Sequence, residues 1–181
     1  MKIYTRTSDR GRTRLIDGTE VFKHSDRIKA YGTIDELNSF IGLTVSESTG
    51  PYEIAEELRY IQRLLFDCGA DLATPKSIRT ANEGRIKQCD VEWLEEKIDY
   101  YTQLLPPLKS FVLPGGSKAA SYLHVARTIA RRGEREVVEV LENEIVPPHV
   151  LPFINRLSDY LFTMARYMNI VDGVEEHQYK T

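Results

Sequence analysis

The chain has 181 residues, of which 41% are hydrophobic and 28% charged, a balance that suits one compact domain with a sizeable core and excludes a disordered polar chain. Its formal net charge of −3 argues against general nucleic-acid binding, and no stretch approaches the run of about 18 apolar residues that would span a membrane. The opening MKIYTRTSDR lacks the features of a secretion signal, and Cys68 and Cys89 have neither a CxxC partner nor a nearby histidine cluster. The expected setting is therefore a reducing cytoplasm, with no disulfide framework and no zinc site.

Residues 1–30 form a first segment in which eight Lys or Arg face four acids, a surplus of +4 against −7 for the rest of the chain. Within it, Thr5-Arg6-Thr7-Ser8-Asp9-Arg10-Gly11-Arg12-Thr13 gathers hydroxyls, cations and backbone donors beside a glycine, a composition suited to phosphate oxygens. A solvated basic tail is the other meaning of such a run. Neither GxxxxGK[ST] nor GxGxxG occurs, so a P-loop or dinucleotide fold has no support.

Helical periodicity dominates residues 31–172, and no segment shows the sustained alternation of a half-buried strand. A first helix is predicted from Thr33 to about Ser46, carrying Ile34, Leu37, Ile41 and Val45 at helical spacing. A second runs from about Tyr52 to Leu72, with Ile54, Leu58, Ile61, Leu65, Cys68 and Leu72 on one side and Pro75 just beyond its end. Residues 74–88 are polar and aperiodic and read as a loop. The third helix begins near Asp90, a suitable N-cap, and ends before Pro106-Pro107. Pro114-Gly115-Gly116-Ser117 reads as a turn and N-cap for the longest helix, to about Glu144. The last runs from about Val150 to Ile170 and stops at Asp172-Gly173, leaving residues 173–181 as a tail. Together these predict an all-α, five-helix up-and-down bundle.

The fourth helix is the most informative. At about 100° per residue, Ala126, Ala130, Gly133, Val137 and Leu141 fall on one stripe facing the bundle. Arg127, Arg131 and Glu134 then lie on its edge, while Arg132 and Arg135 point to water. Arg127, Arg131 and Arg135 also form a like-charge column at i, i+4 and i+8, which needs acids or an anionic ligand beside it. Two readings stay open: an Arg-Glu lattice with Glu134, Glu136 and Glu139 on a solvated face, or an anion site.

Taken in order, TRTSDRGRTRL at residues 5–15, YGTIDELNSFIG at 31–42, FVLPGG at 111–116, RTIARRGER at 127–135 and FINRLSDYLFTMAR at 153–166 resemble the trimeric ATP:corrinoid adenosyltransferases. The resemblance covers nearly the whole chain. It implies a five-helix bundle of the ferritin-like type with a flexible N-terminal ATP-binding segment that orders over the nucleotide. It further implies transfer of the 5′-deoxyadenosyl group of ATP to the reduced cobalt of cob(I)alamin, with Mg²⁺ accompanying the triphosphate. Carried over by position, Thr5, Arg6, Thr7, Ser8, Thr13 and Lys23 match the ATP-binding segment; Arg131, Arg132, Glu134 and Arg135 match the nucleotide-binding helix; Asn155 matches a further ATP contact. Asp35 and Arg127 match a salt-bridged pair lining the active site, and Phe111 matches the aromatic packed beneath the corrin. The family usually has Gly at the position of Ser8 and often Ala at that of Gly133, so the phosphate cradle is where this chain departs from the pattern.

Each assignment has an ordinary structural alternative: Asp35 can favour a helix N-terminus, Phe111 can be core, and Asn155 can be a cap. The partners implied are a second and third copy of the chain in a homotrimer with sites at subunit interfaces, a flavin-dependent reductase and a B12-dependent acceptor enzyme, with neither nucleic acid nor membrane. The alternative function is a non-catalytic carrier that delivers adenosylcobalamin to a B12-dependent enzyme. A di-metal bundle of the ferritin type needs Glu-x-x-His pairs on two helices, and the helical segments contain none.

Overall fold

The computed structural model describes residues 2, 4, 6, 8–47, 50–75 and 84–179. Five helices make up most of it: α1 (Asp26–Glu47), α2 (Tyr52–Ala73), α3 (Gln88–Gln103), α4 (Lys118–Asn143) and α5 (Val150–Val171). Two three-residue strands, β1 (Arg12–Arg14) and β2 (Glu20–Phe22), precede them as an antiparallel hairpin with Thr13 opposite Val21. Strands this short carry no readable alternation, which is why the sequence hides them. Gly18, at φ 85°, makes the turn, and Asp17 Oδ1 accepts the Thr19 N–H at 2.9 Å.

Across the bundle the helices neighbour one another in the order α2, α1, α4, α5, α3. Their directions alternate along the chain. The start of α1 meets the ends of α2 and α4 through Arg27, and Glu134 on α4 meets Asn155 near the start of α5. The up-and-down arrangement is thus present, with α1 and α4 brought side by side by the tertiary fold. They approach closely at Gly133, where an added Cβ would lie 3.2 Å from Ile34 Cδ1, a tight contact with the end of a flexible side chain. The apolar stripes read from the sequence are buried in one core, including Ile34, Leu37, Ile41, Leu58, Leu65, Ala126, Ala130, Val137, Leu157 and Met164.

Several boundaries differ from expectation. α1 begins at Asp26, seven residues before Thr33, because the buried Arg27 anchors its first turn. Arg27 is only 2% exposed and donates to Glu144 Oε2 from Nε at 2.8 Å and from Nη2 at 2.5 Å, to the Leu72 carbonyl, and to the Ile145 carbonyl at 3.3 Å. Periodicity alone treats such an arginine as solvated. α3 starts at Gln88, and Asp90 acts from within the first turn, its Oδ2 accepting the Lys87 N–H at 2.8 Å. Leu141, assigned to the buried stripe, is 40% exposed and Val140 takes the core position. The predicted N-cap Ser117 is in place, accepting the Ala120 N–H at 3.2 Å.

Candidate nucleotide and corrinoid site

α4 and α5 carry the densest set of candidate side chains. Arg127 is half-buried, and its Nε is shut off from solvent without a hydrogen-bond partner. Burial first, and the charge of Arg131 second, push its pKa below the ordinary arginine value. One turn on, Arg131, Glu134, Arg135 and Val138 line an open hollow of about 320 Å³. Glu134 is oriented from α5, where Asn155 Nδ2 donates to its Oε1 at 2.7 Å. Arg135 Nη1 donates to the Arg131 carbonyl at 2.9 Å. Arg131 is more exposed than its expected place at the core edge, and Arg132, expected in water, is partly buried and ion-paired to Glu36 on α1.

The Arg-Glu lattice that offered an ordinary account of this helix is not formed: among the described residues, no ion pair joins Arg127, Arg131 or Arg135 to Glu134, Glu136 or Glu139. Glu136 Oε2 is buried without a partner. The arginine column thus makes no ion pair with the acids of its own helix, an arrangement suited to an incoming polyanion.

The other ordinary accounts also fail on position. Asp35 stands well inside α1, beyond reach of its N-terminal dipole, and is exposed. Asn155 lies within α5, past the capping positions. Phe111 is 84% exposed and belongs to no core. Asp35 and Arg127 are not ion-paired to each other within the single chain. Asp35 lines a groove between α1 and α2 with Tyr31, Asn38, Leu65, Phe66 and Gly69, and Phe66 there is 72% exposed.

In the N-terminal segment, Thr5 and Thr7 lie outside the described residues. Arg6 takes a left-handed backbone, φ 61°, and joins Asp9, Arg10, Arg12 and Glu20 around a hollow of about 690 Å³. Ser8 and Thr13 are partly buried. Lys23 has an exposed side chain, and its N–H donates to the Gly11 carbonyl at 3.0 Å. Arg10 and Arg12 were visible in the sequence as charge, but their convergence with Arg6 depends on the hairpin. Among the described residues no hydrogen bond or ion pair links this segment to Arg131, Glu134 or Arg135.

Sequence reasoning missed His124, one turn before Arg127. It is 3% exposed with both ring nitrogens unpartnered. Burial, reinforced by Arg127 and opposed by Glu176, lowers its pKa to about 4. It also missed the pairing of the tail with the Phe111 connector. A histidine and a short polar tail give no periodic signal.

A helical bundle bearing an unpaired arginine column and a projecting aromatic has the features expected of a protein for a polyanionic and a large, partly apolar ligand. The family model for cobalamin adenosyltransferase matches residues 3–168, and the chain belongs to that family. It is 47% identical over 183 residues to the corrinoid adenosyltransferase of Bacillus subtilis, covering 99% of this chain and 93% of that protein. It is 43% identical to the mouse (Mus musculus) corrinoid adenosyltransferase MMAB, covering 99% of this chain and 77% of that protein. Its fold superposes with a TM-score of 0.93 on a phenylalanine-to-histidine variant of the PduO-type ATP:corrinoid adenosyltransferase from Lactobacillus reuteri complexed with cobalamin and ATP. That match is at 47% identity and covers 99% of this chain and 97% of the other. No helix among the described residues is long and apolar enough to cross a membrane.

Proposed function

We propose that this chain carries out its family's reaction with Arg131, Arg135 and Lys23 on the triphosphate of ATP and Phe111 beneath the corrin. The enzyme transfers the 5′-deoxyadenosyl group of ATP to cob(I)alamin, giving adenosylcobalamin and triphosphate. The observation that carries the division of labour is the cation column of α4, whose arginines make no ion pair with the acids of their own helix and two of which line a hollow that opens to solvent.

Cobalt(I) is itself the nucleophile. It attacks the 5′ carbon, the cobalt–carbon bond forms as the bond from C5′ to the triphosphate oxygen breaks, and no general base is needed. What the protein supplies is alignment and charge. Arg131 and Arg135 hold phosphate oxygens and stabilise charge growing on the leaving oxygen. Glu134, held by Asn155, stands between Arg131 and Arg135 in the lining of the hollow, while Arg6, Ser8 and Thr13, with Thr5 and Thr7, close over the nucleotide. Arg132 contributes through its link to Glu36. One carboxylate, Glu134, beside a triphosphate fits the usual Mg²⁺ environment of one or two carboxylates plus phosphates; the ion would neutralise phosphate charge there. Phe111 presents an apolar ring that excludes water and a lower axial ligand, which makes reduction to cobalt(I) easier.

The active assembly in this reading is a homotrimer with sites between subunits. Support comes from three features left incomplete in one chain: unpaired Arg127, exposed Asp35 and the apolar groove at Phe66 beside it. Asp35 of one copy meets Arg127 of the next and orients it. A flavin-dependent reductase supplies the electron, a B12-dependent enzyme receives the product, and the cytoplasm is the compartment. An anaerobic assay with Mg-ATP and chemically reduced cobalamin, followed by the absorbance of the cobalt–carbon bond, tests the reaction. Folded protein without turnover leaves only the carrier function. Light scattering tests the assembly, and a monomer with full turnover refutes sites shared between subunits.

A further inference from the structure

The connector of residues 104–117 carries Phe111 but has no helix of its own to hold it. A cavity of about 270 Å³ lined by Leu105, Pro106, Ile170, Val174 and Gln178 separates it from α5, so core packing does not fix its height there. Hydrogen bonds do. At its far end Asn169 accepts the Ser117 N–H at 2.9 Å and donates to the Gly115 carbonyl at 3.2 Å. Gly116, φ 109°, is obligatory at this point, since a Cβ would fall 2.1 Å from Asn169 Oδ1. In the middle, the tail runs antiparallel to the connector: Tyr179 N–H donates to the Phe111 carbonyl at 2.7 Å, and Leu113 N–H to the His177 carbonyl at 2.8 Å. Ser110 Oγ adds a bond to Gln178 Oε1 at 3.1 Å.

The tail itself is held by one buried guanidinium. Arg166 on α5, nearly inaccessible, donates to Glu176 from Nε at 2.8 Å and from Nη2 at 3.1 Å, and to the Pro106 carbonyl at 2.9 Å. A single side chain thus locks both the start of the connector and the tail. Desolvating that pair has a cost, yet the tail adds no core residue in return, because its other side chains are exposed. What the ion pair secures is the backbone on either side of Phe111.

We propose that residues 174–179 are a strap that sets the position of Phe111, and that Arg166 and Glu176 are positioning residues for the corrinoid half of the reaction. The inference rests on the reading of Phe111 as the corrin contact.

Tyr179→Pro removes the N–H that binds the Phe111 carbonyl, whereas Tyr179→Ala keeps it. Both changes lie on exposed chain and should leave the melting temperature and the KM for ATP unaltered. Tyr179→Pro should raise the KM for cobalamin about fivefold, as befits loss of one hydrogen bond. It should also weaken the spectral change of cobalt(II) that marks loss of the lower ligand, and speed exchange of the Leu113 amide. Glu176→Gln should act in the same direction, with Glu176→Asp recovering part of the loss. Tyr179→Pro behaving as Tyr179→Ala, while Phe111→Ala impairs cobalamin use, would overturn the strap alone. If Phe111→Ala leaves cobalamin binding unchanged, the assignment of Phe111 falls and the strap's role falls with it.

Discussion

Arg131→Ala should separate nucleotide binding from folding. In the chain by itself Arg131 is exposed, its guanidinium makes no ion pair among the described residues, and its charge acts on Arg127 as a repulsion. Truncation removes nothing that holds the bundle together, so the unfolding free energy should change by less than about 0.5 kcal/mol. For a chain of this size that is a shift in melting temperature of roughly 2 °C or less. A charge-assisted bond to a phosphate oxygen is worth about 1.5–3 kcal/mol, which raises the dissociation constant for ATP roughly 10- to 150-fold. Calorimetric titration with Mg-ATP measures this directly. Thermal melts give an independent reading: ATP at 100 times the wild-type dissociation constant stabilises the parent by about 2.7 kcal/mol. A tenfold weakening reduces that to about 1.4 and a hundredfold weakening to about 0.4 kcal/mol. A variant that melts several degrees lower without nucleotide, or binds ATP as the parent does, would refute the assignment.

Asp35→Asn keeps the side-chain size and deletes the charge proposed to orient Arg127; turnover and the KM for cobalamin should suffer while ATP affinity holds, and steady-state kinetics with each substrate varied would show a silent mutant if the pair lies outside the mechanism. Arg27→Ala should cost about 1–3 kcal/mol, because it leaves the Leu72 carbonyl unsatisfied while Glu144, 44% exposed, regains water; urea unfolding should place Glu144→Gln between this variant and the parent. His124 should make the fold sensitive to acid. Its folded pKa of about 4 lies below the unfolded value of about 6.5, so between those pH values the unfolded chain binds the extra proton. Stability should therefore fall as pH drops from about 6.5 to 4, by about 3 kcal/mol in all, and His124→Phe should flatten that part of the pH profile measured by chemical denaturation.

The five helices were legible because each carries apolar residues at helical spacing over three or more turns, set off by prolines, glycines and Ser117. The order of the motifs likewise marked Asp35, Phe111, Arg127, Arg131 and Asn155 as candidates, and the family comparison agrees with the class of chemistry they imply. What lay beyond reach depended on contacts between residues distant in the chain. Arg27 reads as solvated until Glu144, 117 residues away, and the Leu72 carbonyl enclose it, and this extends α1 backward by two turns. Arg132 reads as surface charge until Glu36 meets it from the neighbouring helix. The tail reads as an unstructured end until Arg166 locks Glu176 and aligns residues 177–179 with the Phe111 connector. Periodicity reports which side of a helix is apolar, a property of neighbours along the chain. A buried ion pair or a strap across a connector is decided only when the fold brings its two halves together and removes the water from both, and neither half carries that information alone.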